Sequence, residues 1–425
     1  MLLDFRIRNF RSIRDEQALS LVASSGDKSL AATHLAATGL GASAFAVRSA
    51  VIYGPNASGK SSLLRGLDYL RAVVAESAAV IQPGQSYNVQ PFKLDEATAH
   101  APTEFELTFL LGGIRHQYAF AMTATRIVSE SLVVYRTAKP ALWFSRQLSA
   151  DGERDVYEFS AQLTGAKKLW QDSTRPNALF LSTAAQLNSE MLSPVFRWIV
   201  ERLVFLPAGA AAHPDHTTAL LATEDGRSAI RDFLASADIS IADIQASPRR
   251  GFQNSVVFHA GAVAHSSSVE SEFLVPVFKH VTPQGSATFD LQDESEGTQR
   301  LYGLVAPVLE VLREGRILIV DELDSSLHPL LVRRLLAMFH NPQLNTGGAQ
   351  LIFSTHDTSL LDPLLFRRDQ VWFTEKDKSQ ATHLYPLTEF SPRKNEAWER
   401  GYLVGRYGAL PFFGDQPNAA VPTLN

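Results

Sequence analysis

Residues Val51–Ser62 read VIYGPNASGKSS, and this stretch decides the fold. A short apolar run gives way to a loop opened by Gly54, and Gly59-Lys60-Ser61 leads into a helical pattern. This is the G-x-x-x-x-G-K-[ST] motif in the strand–loop–helix setting that gives it meaning. Glycines let the backbone curl so that its N–H groups surround phosphate oxygens, and the helix adds its positive N-terminal end. Gly54, Pro55, Asn56, Ala57, Ser58, Gly59, Lys60, Ser61 and Ser62 are therefore expected to cradle ATP or GTP. Lys60 should reach the β- and γ-phosphates, and the Ser61 hydroxyl should ligate Mg2+.

Outward from the loop, Ala46–Tyr53 is expected to be the feeding strand. The helix runs from Gly59 towards Ala79, with Leu63, Leu67, Leu70 and Val74 on its core face, and Pro83-Gly84 ends it. Upstream, Leu2–Asn9 alternates as a strand with Phe5 and Ile7 on one face, and Ala18–Val22 suits a hairpin partner. The stretch Gly26–Ser43 has no period and is expected to be loop. Downstream, Glu104–Leu111, Gly112-Gly113 and Ile114–Met122 make a β-hairpin. Strands at Ile127–Arg136, Ala141–Arg146 and Val156–Phe159 extend it into an antiparallel region. The apolar LFLST run within Asn177–Thr183 is taken as a strand, followed by a helix near Leu192–Arg202 and a buried strand at Leu203–Pro207. Thr217–Asp238 should be helical, and Asn254–His259 and Glu270–Phe278 should pair as strands. A helix over Ser295–Arg313, broken or bent near Pro307, precedes a buried strand at Arg316–Val320. A helix at Leu327–Phe339, a strand at Gln350–Ser354, and two strands at Gln370–Thr374 and Ala381–Tyr385 follow. A short helix and a frayed last ten residues close the chain.

The net charge is −5, from 39 basic and 44 acidic residues, so no global basic field draws the chain to nucleic acid. There is no cysteine, which excludes disulfides, thiolate nucleophiles and cysteine zinc sites and fits a cytoplasmic protein. The opening MLLDFRIRNFRS lacks the apolar core of a signal peptide, and no window approaches the roughly 18 apolar residues of a membrane span. Prolines at 194, 207, 214, 248 and 276 argue against a long coiled coil in the middle of the chain.

Three further stretches carry chemistry. Arg316–Pro329, RILIVDELDSSLHP, is an apolar strand ending in Asp321-Glu322. Beside a phosphate loop, Asp321 can hold Mg2+ and Glu322 can act as general base on the attacking water. Leu351–Asp357, LIFSTHD, ends a second buried strand in His356, placed to bond a γ-phosphate and sense its presence. Asp293–Leu301, DESEGTQRL, puts Ser295 and Gly297 at a helix N-terminus, where they can bind an anion or simply cap the helix.

In this order, phosphate loop, mixed region, Ser-x-Gly, Asp-Glu strand, then His strand, the chain resembles the ABC-type ATPase heads. Glu294-Ser295-Glu296-Gly297-Thr298-Gln299 departs from the transporter signature and resembles the RecF, SMC and OLD-type branch. The opening FRIRNFRSIRDEQALSLVAS, the DELDSSLHP run and the tail WERGYLVGRYGALPFFG are similar to RloA-like ATP-binding proteins of restriction-modification and anti-phage loci. The resemblance implies an α/β P-loop ATPase head with a mixed β-sheet core and an antiparallel β and helical second lobe. It divides the chain into residues 1–90 and 291–392 as core, 91–290 as second lobe and 393–425 as tail. It implies a head-to-tail homodimer with ATP and Mg2+ between the phosphate loop of one copy and Ser295 and Gly297 of the other. Ser325 to His328 would match the D-loop, with His328 where transporters carry Asp. Gln186 would be the glutamine joining core and second lobe, with Gln90 as the alternative, and Arg11 would lie near the base and phosphates.

Two functions follow. The first is an ATPase acting as nucleotide-driven sensor or scaffold for a separate nuclease-like or toxin-like effector encoded nearby. Residues 357–425 are too short for the nuclease domain of OLD relatives, and Glu375-Lys376-Asp377 is a poor metal motif. The alternative is a RecF-like repair ATPase binding DNA directly through Arg249-Arg250, Arg333-Arg334, Arg367-Arg368 and Arg393-Lys394. A transporter subunit is disfavoured by the altered signature.

Overall fold

The structure is a computed structural model that describes residues 1–41, 44–137, 139–208, 214–235, 241–259, 262–325, 327–392 and 396–410. The chain opens with β1 (Leu2–Arg8), β2 (Gln17–Ser20), α1 (Ala31–His34), β3 (Leu35–Ala37), β4 (Phe45–Val47), β5 (Ser49–Tyr53) and α2 (Lys60–Glu76). The short α3 (Glu96–Ala99) leads to five antiparallel strands: β6 (Thr103–Leu111), β7 (Ile114–Met122), β8 (Ile127–Tyr135), β9 (Ala141–Leu148) and β10 (Asp155–Phe159). Then come α4 (Lys167–Ser173), α5 (Phe180–Gln186), α6 (Ser193–Arg202), β11 (Leu203–Leu206), α7 (Pro214–Leu220) and α8 (Glu224–Ala235). A long hairpin, β12 (Asp243–His259) and β13 (Ala262–Thr282), is followed by β14 (Gly285–Asp290) and α9 (Glu296–Glu314). The chain finishes with β15 (Ile317–Val320), α10 (Pro329–His340), β16 (Gln350–Ser354), β17 (Val371–Lys376), β18 (Thr382–Pro386) and α11 (Trp398–Leu403).

Two sheets dominate. The first has seven strands in the order β10-β9-β8-β7-β6-β1-β2, all antiparallel. The second has six, β11-β15-β16-β5-β17-β18, parallel except for the β17–β18 pair. Strands from both sides of residue 90 share the first sheet, and β11 lies in the second with β5 and β15–β18. The division at residues 90 and 291 therefore cuts through both sheets.

The β5 strand is apolar throughout because both of its faces are covered, as in parallel sheets generally. Ile52, Ile317, Ile319 and Ile352 face a core shared with α2, α5, α6 and the antiparallel sheet. Val51, Tyr53, Leu318, Val320, Leu351 and Phe353 face the other way, onto α7–α11. Helix α2 packs between the sheets. It buries Leu63, Leu67, Leu70 and Val74, each worth about 1.5–3 kcal/mol, and a Cβ on Gly66 would meet Ile7 Cδ1.

Several expectations need correction. Gly26–Ser43 is not all loop: α1 lies there, and β3 pairs with β4. Ala46–Tyr53 splits at Arg48, β4 pairing with β3 and β5 entering the parallel sheet. The LFLST run is helix α5, because the Glu130 carboxylate of β8 accepts from the Phe180 and Leu181 N–H groups at 2.6 and 2.9 Å and starts a helical turn. Thr217–Asp238 divides into α7 and α8, with 236–238 outside the described residues. The pair near Asn254 and Glu270 is a much longer hairpin, and α9 carries Pro307 inside one continuous helix. Among the described residues α9 is the longest helix, at 19 residues, and none is long and apolar enough to cross a membrane. The frayed end expected for the last ten residues lies outside the described residues.

Candidate functional site

In the second sheet β15, β16 and β5 are adjacent and parallel, so their C-terminal ends open on one side. That is where ligands of open α/β sheets bind. The phosphate loop leaves β5, Asp321-Glu322 leaves β15 and His356 leaves β16.

The loop has the geometry of a cradle. Gly54 and Gly59 hold φ of +155° and +112°, and Ala57 is left-handed at +61°. A Cβ on Gly54 would strike Thr374 and come within 2.7 Å of Ser58 Oγ, and one on Gly59 would strike the Thr382 side chain. No side chain caps the N-terminus of α2, which leaves its first N–H groups to the loop's concavity. Lys60 is buried and donates Nζ to the Gly54 and Pro55 carbonyls at 2.7 and 3.1 Å. Burial pushes its ammonium down to about 8, while Asp321, Glu322 and Asp324 pull it back up.

Asp321 is buried. Its Oδ1 accepts from Ser354 Oγ at 2.7 Å, and its Oδ2 has no hydrogen-bond partner. A buried carboxylate oxygen left unpartnered beside a phosphate loop fits a hard divalent cation, held directly or through water. Ser61, half-buried in the first turn of α2, follows β5, one strand beyond β16 from Asp321's strand. Glu322 is half-buried with φ +55°, its N–H donating to Ser354 Oγ at 2.8 Å. The exposed His356 imidazole is pushed below its ordinary value by burial of its inner edge and by Lys60, against the pull of Asp324, Glu322 and Asp321. Lys60, Asp321, Glu322 and His356 thus share one electrostatic neighbourhood.

Arg11 and Ser12 sit against the start of α2. Ser12 Oγ donates to Ser62 Oγ at 2.9 Å, and the Arg11 N–H donates to the Gln90 carbonyl at 2.6 Å. Burial and the neighbouring Arg65 push the Arg11 guanidinium down. Gln90 is therefore beside Arg11, whose neighbour Ser12 bonds the first turn of α2. Gln186 is not: it ends α5 and lines a cleft with Ala75, Ala78 and Ala79, at the far end of α2. Fifteen residues of helix from Lys60 put that cleft about 22 Å from the loop.

Ser295 caps α9, its Oγ accepting from the Thr298 N–H at 3.2 Å, and is exposed with Gly297 beside it. No described contact joins either to the phosphate loop of the same chain. Arg300 of α9 donates to Ser325 Oγ at 3.2 Å, tying this helix to the turn after Glu322. His328 caps α10, Nδ1 accepting from the Leu330 N–H, and Ser326 lies outside the described residues.

Sequence reasoning missed the floor of the loop. Ser58 Oγ and Thr374 Oγ1 are 2.6 Å apart, and Thr382 Oγ1 lies 2.9 Å from both the Ser58 carbonyl and Ser12 Oγ. A hydroxyl inside the otherwise apolar run VWFT was the available signal.

A glycine-rich phosphate cradle on an inner strand of a mostly parallel sheet, flanked by a buried aspartate, a glutamate and a histidine, is the arrangement of a P-loop nucleotide-binding protein. A family model described as "AAA domain, putative AbiEii toxin, Type IV TA system" matches residues 49–362, more than half of the chain. The chain belongs to that family. No curated protein matches it. Among solved structures, the chain is similar to the SMC head domain from Thermotoga maritima, at 14% identity and TM-score 0.41, covering 91% of this chain and 98% of that one. It is also similar to the Smc head domain with an extended coiled coil bound to the C-terminal domain of ScpA derived from Pyrococcus furiosus, at 11% identity and TM-score 0.37, covering 91% and 96%.

Proposed function

We propose that the chain hydrolyses ATP at a composite site formed by two copies arranged head to tail. The observation that carries this reading is the placement of Ser295 and Gly297. Both lie at the start of α9, Ser295 exposed and Gly297 half-buried, with no described contact to the phosphate loop of their own chain, which supports a half-site completed by a second copy. Gly54–Ser62 would cradle the phosphates, with Arg11 and Gln90 beside them. Ser61 and Asp321 would hold Mg2+, which when bound neutralises charge on the β- and γ-phosphate oxygens. Lys60 exchanges its two carbonyl bonds for phosphate oxygens. Glu322 accepts the proton of the attacking water, and His356 hydrogen-bonds the γ-phosphate.

We read the ATPase as a nucleotide-driven sensor or scaffold acting on a separate effector in bacterial anti-phage defence. The family description, which names a toxin and a type IV toxin–antitoxin system, and the RloA-like tail support this. Ion pairing of most of the arginines named for DNA contact counts against direct DNA binding, although Arg250 and Arg334 are exposed. Arg6 pairs with Asp4, Glu16 and Glu106, Arg8 with Glu104, Arg249 with Asp290 and Arg333 with Asp362. Arg367 is buried on Asp369, and Arg368 pairs with Asp27. Arg393-Lys394 lies outside the described residues. Phosphate binding needs basic side chains free to release counterions.

Glu322→Gln should bind ATP, lose turnover by about 100-fold or more and accumulate dimer in size-exclusion chromatography with ATP. Lys60→Ala should lose nucleotide affinity. Glu322→Gln turnover equal to wild type removes the base assignment, and a strictly monomeric ATP complex removes the composite site.

A further inference from the structure

The ends of β15 and β16 are joined by side-chain hydrogen bonds that run in both directions. From β16, the fully buried Ser354 donates Oγ to Asp321 Oδ1 at 2.7 Å and accepts from the Glu322 N–H at 2.8 Å. From β15, Asp324 Oδ2 accepts from the His356 N–H at 3.2 Å. The Leu323 N–H donates to the Ser354 carbonyl at 3.0 Å between them. Glu322 is held in this frame at φ +55°, a left-handed conformation that a residue with a Cβ keeps only when its surroundings fix it.

We propose that Ser354 and Asp324 are positioning residues of the ATP site, forming a reciprocal clasp that fixes the Glu322 carboxylate and the His356 imidazole relative to one another. This rests on the reading of Glu322 as general base. Each half of the clasp starts on one strand and grips the backbone beside the other strand's functional side chain. Ser354 uses its hydroxyl both ways, so alanine at 354 releases the Asp321 carboxylate and the Glu322 N–H together. Asp324 uses only one oxygen, and its Oδ1 is buried without a partner. The clasp bond needs an acceptor at 324, and asparagine keeps one while removing the negative charge felt by Lys60 and His356. Small displacements of a base from its water cost rate steeply, whereas phosphate affinity belongs to the loop on β5.

The test uses the full chain. Steady-state ATP turnover, nucleotide binding and peptide-level hydrogen exchange are measured for Ser354→Ala, Ser354→Thr, Asp324→Ala, Asp324→Asn and Glu322→Gln. The alanine variants should lose about tenfold or more in kcat while ATP affinity stays within about threefold, and Thr and Asn should restore most of the rate. Exchange should rise across the clasp, over residues 319–325 in Ser354→Ala and 352–358 in Asp324→Ala. Alanine variants with kcat within about twofold of wild type overturn the proposal. So does loss of rate and affinity together with exchange rising through the whole chain. If wild type and Glu322→Gln turn over alike, the base reading has failed; the clasp is then judged by exchange, and unchanged exchange at both strand ends overturns it.

Discussion

At the scale of single residues, the chain buries two histidines whose positions tie stability to pH. The rings of His34 and His340 lie 3.7 Å apart, His340 Nε2 is 2.8 Å from Ser49 Oγ at the base of β5, and His34 Nε2 is 2.9 Å from the Leu365 carbonyl. Burial pushes both imidazoles below their ordinary 6.5. Arg367 also pushes His34 down while Asp369 opposes it, and His34 and Arg48 push His340 down. The fold makes both rings harder to protonate than they are in the unfolded chain, where they titrate near 6.5. Their stabilisation is therefore complete above that pH and is lost as pH falls below it. Each proton taken up only on unfolding contributes a slope of about 1.4 kcal/mol per pH unit. Denaturant midpoints should fall between pH 7 and pH 5.5, and His340→Gln should flatten that dependence. A wild-type midpoint constant over this range would contradict the neutral pair.

At the scale of elements, β17 and β18 form the underside of the phosphate loop. Thr374 and Thr382 are both buried, crowd Gly54 and Gly59, and bond Ser58 and Ser12. Valine at either position keeps the volume and removes the hydroxyl, leaving buried partners unpaired at about 1–3 kcal/mol. Thr374→Val and Thr382→Val should weaken ATP binding about tenfold or more with kcat changed little, the reverse of the clasp variants; titration calorimetry and saturation kinetics separate the two. The loop itself was legible because its geometry is local: glycines, lysine and helix start lie within a dozen residues. The same holds for the Asp321-Glu322 and His356 strand ends, each an apolar run that stops at a polar residue. The floor was not legible, because it brings residue 374 under residues 54 and 58 and residue 382 under residue 59. Nor was α5, whose helical start depends on Glu130, fifty residues earlier. Reading LFLST as a strand placed Gln186 after it, whereas the short loop that brings Gln90 to Arg11 has no period at all.

At the scale of the whole molecule, the two sheets must hold a fixed relation for α2 to lie between them, and besides the Gln17 Oε1 bond from the Leu384 N–H the buried Gln350 side chain bonds both. Gln350 opens β16 of the parallel sheet. Its Oε1 accepts from the Leu2 N–H at 2.7 Å, and its Nε2 donates to the Leu2 and Val47 carbonyls at 3.1 and 3.0 Å. It therefore pairs with the backbone of β1, in the antiparallel sheet, and of β4, just before the strand that feeds the loop. Hydrophobic packing alone is non-directional and would let the sheets slide; these three bonds specify register. In Gln350→Leu the apolar volume is kept, but an N–H and two carbonyls are stranded away from water. Against a cost of about 1–3 kcal/mol for each buried unpaired group, partly relieved by relaxation, unfolding free energy should drop by about 2–4 kcal/mol. Gln350→Glu retains the acceptor for Leu2 and loses the donor, so it should also destabilise the fold, and more at pH 8 than at pH 5, where protonation restores an O–H donor. Urea unfolding of both variants at the two pH values checks this. A Gln350→Leu variant as stable as wild type would mean that packing on α2, with the Gln17–Leu384 bond between β2 and β18, sets the relation between the sheets without it.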